Sequence, residues 1–159
     1  MKLIWPLTVA LLLAGCGVST DGPAPAGDAP TGVAPGVTLY FVDPQQRLRP
    51  DQRDTGRLGS IADALGLLLN GPGIGQPDLH TEIAQTSTTR VAVTADPQLI
   101  QLVLPLARAE VTPLGIDQIV CTALGVHIQS GGARTARVRL GFTDRPTTSD
   151  GPRACPVLT

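Results

Sequence analysis

The sequence predicts an α/β fold of the α+β sandwich kind, with two helices packed on one face of a mixed four- to six-stranded sheet. Three observations lead there. Apolar residues recur at helical spacing in two segments, 60–69 and 112–124, each opened by a hydroxyl residue and closed by turn formers. Short runs rich in Val, Ile, Leu and Phe lie before, between and after them. The resulting order, β-α-β-β-β-α-β-β, is that of helices laid over a sheet.

The first strand is Val37-Thr38-Leu39-Tyr40-Phe41-Val42, apolar on both faces apart from Thr38, as a strand covered on two sides requires. Asp43-Pro44 ends it, and a polar loop is expected through Arg53 and Gly56. In the first helix Ile61, Ala64, Leu65, Leu68 and Leu69 form one stripe, and Ser60 with Asp63 makes a short capping box. Asn70-Gly71-Pro72-Gly73 stops it, with Asn or Gly taking the left-handed cap. His80 to Ala84 is expected as a short strand. Arg90–Thr94 and Leu99–Leu104 read as a hairpin, with Asp96 and Pro97 at the first two positions of a type I turn.

The second helix is expected from Thr112 to Leu124. Thr112 caps it, Pro113 sits where a missing N–H costs nothing, and Gly125 terminates it. Cys121 falls about 140° around the helix from Ile116, on the flank of the buried stripe. Val126–Gln129 is expected as a strand with His127 and Gln129 on one face. After Ser130-Gly131-Gly132, Arg134–Phe142 alternates, with Val138, Leu140 and Phe142 inward and Arg137 and Arg139 outward.

Ahead of this domain lies a different kind of sequence. Lys2 precedes an apolar run, Leu3 to Leu13, of signal-peptide length and too short to span a bilayer. Its end, Leu13-Ala14-Gly15-Cys16, resembles the bacterial lipobox. That resemblance implies diacylglycerol on the Cys16 thiol, cleavage just before it, and acyl chains such as palmitate on the lipidated N-terminus. An ordinary secretory signal is the alternative. Residues 17–36 are Gly, Pro, Ala, Ser, Thr and Asp with little bulky apolar content, the composition of a tether. The expected organisation is a signal peptide over 1–15, a lipidated Cys16 with tether over 16–36, and a single domain over 37–159. The expected location is the outer face of the cell membrane, held by the lipid.

Composition narrows the chemistry. Lys2 is the sole lysine, so lysine nucleophiles and Schiff bases are excluded from the processed chain. A formal net charge of −1 gives no electrostatic case for nucleic acid. With Cys16 assigned to lipid, Cys121 and Cys155 remain as an even pair, which in an exported protein reads as a disulfide tying the C-terminal tail down. Two separate buried thiols or one reactive thiol are the alternatives.

Taken together, the strand Leu39-Tyr40-Phe41-Val42-Asp43, the loop with Leu48-Arg49-Pro50 and the helix end Ala64-Leu65-Gly66-Leu67-Leu68-Leu69-Asn70-Gly71-Pro72 resemble the GerMN domain of the sporulation and spore-germination GerM family. The hairpin 90–104 and Gln118-Ile119-Val120-Cys121-Thr122 extend the match to most of 37–129. The resemblance implies a fold of the ring-building-motif kind and a non-catalytic role, since such domains serve as interaction modules in exported or membrane-attached proteins. Some act in sporulation assemblies, others in actinobacterial envelope lipoproteins. A single copy, an added strand 134–142 and the cysteine pair depart from the two-repeat germination proteins. An Arg-, Ala-, Gly- and Pro-rich composition suits a GC-rich actinobacterium.

Candidate sites are few. Gly71-Pro72-Gly73-Ile74-Gly75 follows a helix instead of opening one, so it is a helix stop and not a phosphate loop. His80 and Glu82 lack further ligands at metal spacing. No catalytic residue, cofactor or metal is expected. The constellation kept is the outward row His127, Gln129, Arg137 and Arg139, suited to a carboxylate or phosphate if the two strands pair, and otherwise a solvated face. The expected partners are the membrane, through the lipid anchor, and another envelope protein, with a homo-oligomer left open. An extracytoplasmic small-ligand or cell-wall-polymer binder is the alternative function.

Overall fold

A computed structural model describes residues 36–145 and 151–158, and it has the two helices and mixed sheets of an α+β fold. The signal peptide, Cys16 and most of the expected tether lie outside the described residues.

Strand β1 (Gly36–Val42) runs antiparallel to β2 (Leu48–Asp54), with Tyr40 opposite Pro50 and Leu39 opposite Asp51. Helix α1 (Ile61–Leu69) follows, then β3 (Ala92–Ala95), β4 (Leu99–Val103), a short 3₁₀ turn, α2 (Pro113–Gln129) and β5 (Arg137–Gly141). The five strands form two sheets: the pair β1-β2, and β3-β4-β5 with β3 antiparallel and β5 parallel to β4. The parallel pair needs a crossover, which α2 supplies. Val37, Leu39, Phe41, Leu65, Leu68, Ile100, Leu102, Ile116, Ile119, Val120, Val138 and Phe142 meet in one core, mostly aliphatic, with Tyr40, Phe41 and Phe142 as its aromatic residues.

Both helix starts form as the sequence expects. The Ser60 hydroxyl accepts from the Asp63 N–H while the Asp63 carboxylate accepts from the Ser60 N–H, at 3.1 and 2.9 Å. The Ser60 N–H and, at 2.8 Å, the Ser60 hydroxyl both donate to the Asp63 carboxylate and hold it below its ordinary range. At the other end Gly71 (φ +83°), not Asn70, takes the left-handed position. The Thr112 hydroxyl accepts from the Gly115 N–H at 3.1 Å, with Pro113 at the first helical position.

Four local expectations are corrected. The loop after Asp43 turns directly into β2, a strand that the polar sequence Leu48-Arg49-Pro50-Asp51-Gln52-Arg53-Asp54 disguises. Pro50 is tolerated because it lies at the chain's sheet edge opposite Tyr40, whose own N–H and C=O point away from β2, so no ladder bond is lost. Residues 80–84 form two isolated bridges, His80 with Val42 and Ile83 with Val111, instead of a strand. Helix α2 does not stop at Gly125. That glycine is buried mid-helix, and a Cβ there would make ordinary contact with Tyr40 at 3.7 Å. Val126–Gln129 is accordingly the last turn of α2 and not a strand, ended by Ser130 and by Gly131 at φ +87°.

Candidate functional site

The open edge of β1 decides where α2 sits. On the side away from β2, the Tyr40 N–H donates to the Thr122 hydroxyl at 3.1 Å, and the Gln118 side-chain amide donates to the Tyr40 carbonyl at 2.9 Å. The Gln118 carbonyl oxygen in turn accepts from the Glu82 N–H at 2.8 Å. Gln118 and Thr122 are i and i+4, on one face of the helix, and both are wholly buried. They stand in for a neighbouring strand, and the Val42–His80 bridge continues the same edge, with both bonds at 2.9 Å. A buried backbone group left without a partner is costly, so these two polar side chains fix the helix register.

The other buried polar groups are also spent on structure. Asp43 is 6% exposed and accepts from the Gln45 and Arg47 N–H groups, both at 2.9 Å, closing the turn in which Gln46 is left-handed. Burial alone would raise its pKa. The Arg47 N–H and guanidinium, with the Gln45 N–H, outweigh that and hold the carboxyl below its ordinary range. Asp51 accepts from Arg53 Nε at 2.6 Å, and the Arg53 guanidinium lies 5.8 Å from the Phe41 ring centroid and reaches the Pro72 carbonyl.

Of the four residues in the expected outward row, the structure keeps two together. Arg137 and Arg139 project from β5 opposite Leu99 and Gln101, on the exposed side of β3-β4-β5. Thr94 lies opposite Gln101, so a polar row Thr94–Gln101–Arg139 crosses the sheet. His127 and Gln129 are on α2 and have different neighbours. Gln129 donates to the Thr38 hydroxyl of β1 at 3.4 Å, and the His127 ring covers Gly132 so closely that a Cβ there would overlap it. His80 and Glu82 form a pair at 3.2 Å, joined by Gln46 at 3.4 Å. Among the described residues, no group of three or more His, Cys, Asp or Glu is arranged to hold a metal.

The cysteine pair is a disulfide. Cys121 and Cys155 are bonded at 2.03 Å, both buried, across a sequence separation of 34. The bond draws the tail along β5, where Arg153 exchanges both backbone hydrogen bonds with Val138, at 2.8 and 2.9 Å. Arg153 also moderates Asp117 of α2: burial raises the Asp117 carboxyl above its ordinary range, and the Arg153 charge pulls the other way. The pair of cysteines left once Cys16 is set aside announced the bridge, whereas Gln118 and Thr122 were not singled out as strand surrogates. Their signal is polar residues four apart on an otherwise apolar helix face.

The chain matches no protein-family model, and the curated proteins and the solved structures likewise give no match.

Proposed function

We propose that this chain is a non-catalytic, membrane-anchored lipoprotein of the cell envelope whose α+β domain binds another envelope protein. The observation that carries the reading is Leu13-Ala14-Gly15-Cys16 at the end of a signal-length apolar run, followed by a Pro/Gly-rich tether. The resemblance of 37–129 to the GerMN domain adds the interaction role and rests on the residues quoted for it. The use of Gln118, Thr122, Asp43 and Asp51 to hold backbone, turn or neighbouring side chains supports a structural and non-catalytic interior.

The test is chemical crosslinking in native membranes, comparing the natural chain with Cys16→Ala exported by an ordinary secretory signal. A saturable, stoichiometric partner that depends on Cys16 supports the proposal; no partner above background removes it. A second reading, an extracytoplasmic ligand binder, is favoured by one observation. The salt bridges formed among the described residues use Arg47, Arg49, Arg53 and His80, leaving Arg137 and Arg139 without one on an open face.

A further inference from the structure

Beside the start of β5 lies a concavity of about 230 Å³, walled by the last turns of α2 and by the disulfide-tied tail. Its apolar lining comes from Leu124, Ile128 and Leu158, with Cys155 beside them. Leu124 is almost fully covered, while Ile128 and Leu158 are only partly so, which leaves apolar surface facing the space. Arg134 and Arg137 also line it, and both are exposed. Neither takes part in the salt bridges formed among the described residues. Thr135 lies between them, but its hydroxyl is already given to Gln98 at 3.0 Å. Arg134 and Arg137 are thus the charged residues of the lining.

We infer that this concavity binds a small amphiphilic anion, with its short apolar chain against Leu124, Ile128 and Leu158 and its oxyanion between Arg134 and Arg137. Three features point to that class. The space equals the volume of roughly eight water molecules at ~30 Å³ each, which suits a short chain. An apolar lining with a few convergent polar groups is the general character of a small-molecule site. Guanidinium forks bind planar oxyanions through paired hydrogen bonds, and no acidic side chain lines the space to compete for them. The covalent tail is part of the site, because Cys155 and Leu158 belong to the segment that the disulfide holds in place.

This inference deepens the ligand-binding reading and stands apart from the lipid anchor. Its experiment separates the concavity from the open sheet face. Octanoate and octyl phosphate, titrated below their micelle concentrations against the isotopically labelled, disulfide-intact protein, distinguish a carboxylate from a phosphate head. Inorganic phosphate serves as the probe without a chain. The expected result is saturable amide-shift changes centred on Ile128, Ala136 and Leu158, with inorganic phosphate at least ~10-fold weaker. Replacing Arg134 and Arg137 together by Ala should raise Kd by at least ~10-fold, whereas Arg139→Ala, which does not line the concavity, should leave it within ~2-fold. All three arginines are exposed, so loss of folding does not confuse the comparison. Loss of binding in Arg139→Ala as well as in the double variant overturns the inference and leaves standing the sheet-face reading, which uses Arg137 and Arg139 together. Absence of saturable shifts with either amphiphile overturns it outright.

Discussion

Replacing Thr122 by Val removes one hydroxyl from the sealed edge of β1 and keeps the shape of the side chain. The Tyr40 N–H then has no acceptor in a site where Thr122 is wholly buried. An unsatisfied buried donor costs about 1–3 kcal/mol, against which the added methyl contributes up to ~1 kcal/mol of burial. The net expectation is a loss of about 1–2 kcal/mol. Gln118→Leu strands two groups, the Tyr40 carbonyl and the Glu82 N–H, and should cost about 2–4 kcal/mol, the lower end reflecting the partial exposure of Glu82. Because both side chains act on Tyr40, the double variant should depart from additivity by at least ~0.5 kcal/mol. Urea denaturation of the disulfide-intact protein, followed by far-ultraviolet circular dichroism, measures all three. Thr122→Ser is the control, since it keeps the hydroxyl and loses a methyl. If packing alone mattered, Val would be neutral or stabilising and Ser would be the worse substitution. That order of stabilities would refute the strand-surrogate role.

Other perturbations separate the remaining contributions. Gly125→Ala should stabilise the protein by up to ~1 kcal/mol, because the helix gains propensity and the new methyl only touches Tyr40, whereas Gly115→Ala should destabilise it by about 1–3 kcal/mol, since its Cβ would overlap the Glu82 carbonyl; thermal melts of the pair should move in opposite directions. Replacing both Cys121 and Cys155 by Ala should cost about 4 kcal/mol in the chain-entropy picture for a separation of 34, and hydrogen exchange should quicken at the Val138 and Arg153 amides. Ser60→Ala should cost about 1 kcal/mol at neutral pH. Its effect should also depend on acid: the Asp63 carboxyl is lowered in the folded state, so its stabilisation is present above the unfolded pKa and fades as pH falls through the folded value. Denaturation midpoints of wild type and Ser60→Ala should therefore converge in acid.

The α+β class, β1, α1, the 90–104 hairpin and β5 were legible because α1, β4 and β5 bury apolar residues at one spacing and β1 is apolar on both faces, with turn residues at their ends. Strand β2 was not. It presents Asp51 and Arg53 inward, where Arg53 lies over Phe41 and pairs with Asp51, so no apolar alternation marks it. The end of α2 was misread for a related reason. Gly125 is a helix breaker by propensity, but burial against Tyr40 overrides the cost, and the helix runs on to Gln129. Placing His127 and Gln129 on a helix separates them from Arg137 and Arg139. The arginine pair was legible from strand alternation alone. Arg134 was not singled out, because the concavity it lines exists only once α2, β5 and the tail are assembled.

Membrane attachment through Cys16 is tested most directly by intact-mass analysis of the N-terminus, together with fractionation of the natural chain and Cys16→Ala. The expected result is a membrane-bound protein beginning at Cys16, with its thiol carrying diacylglycerol, and a Cys16→Ala variant that loses both the lipid mass and the membrane association. A mature chain that begins elsewhere and stays soluble would contradict the proposed lipoprotein.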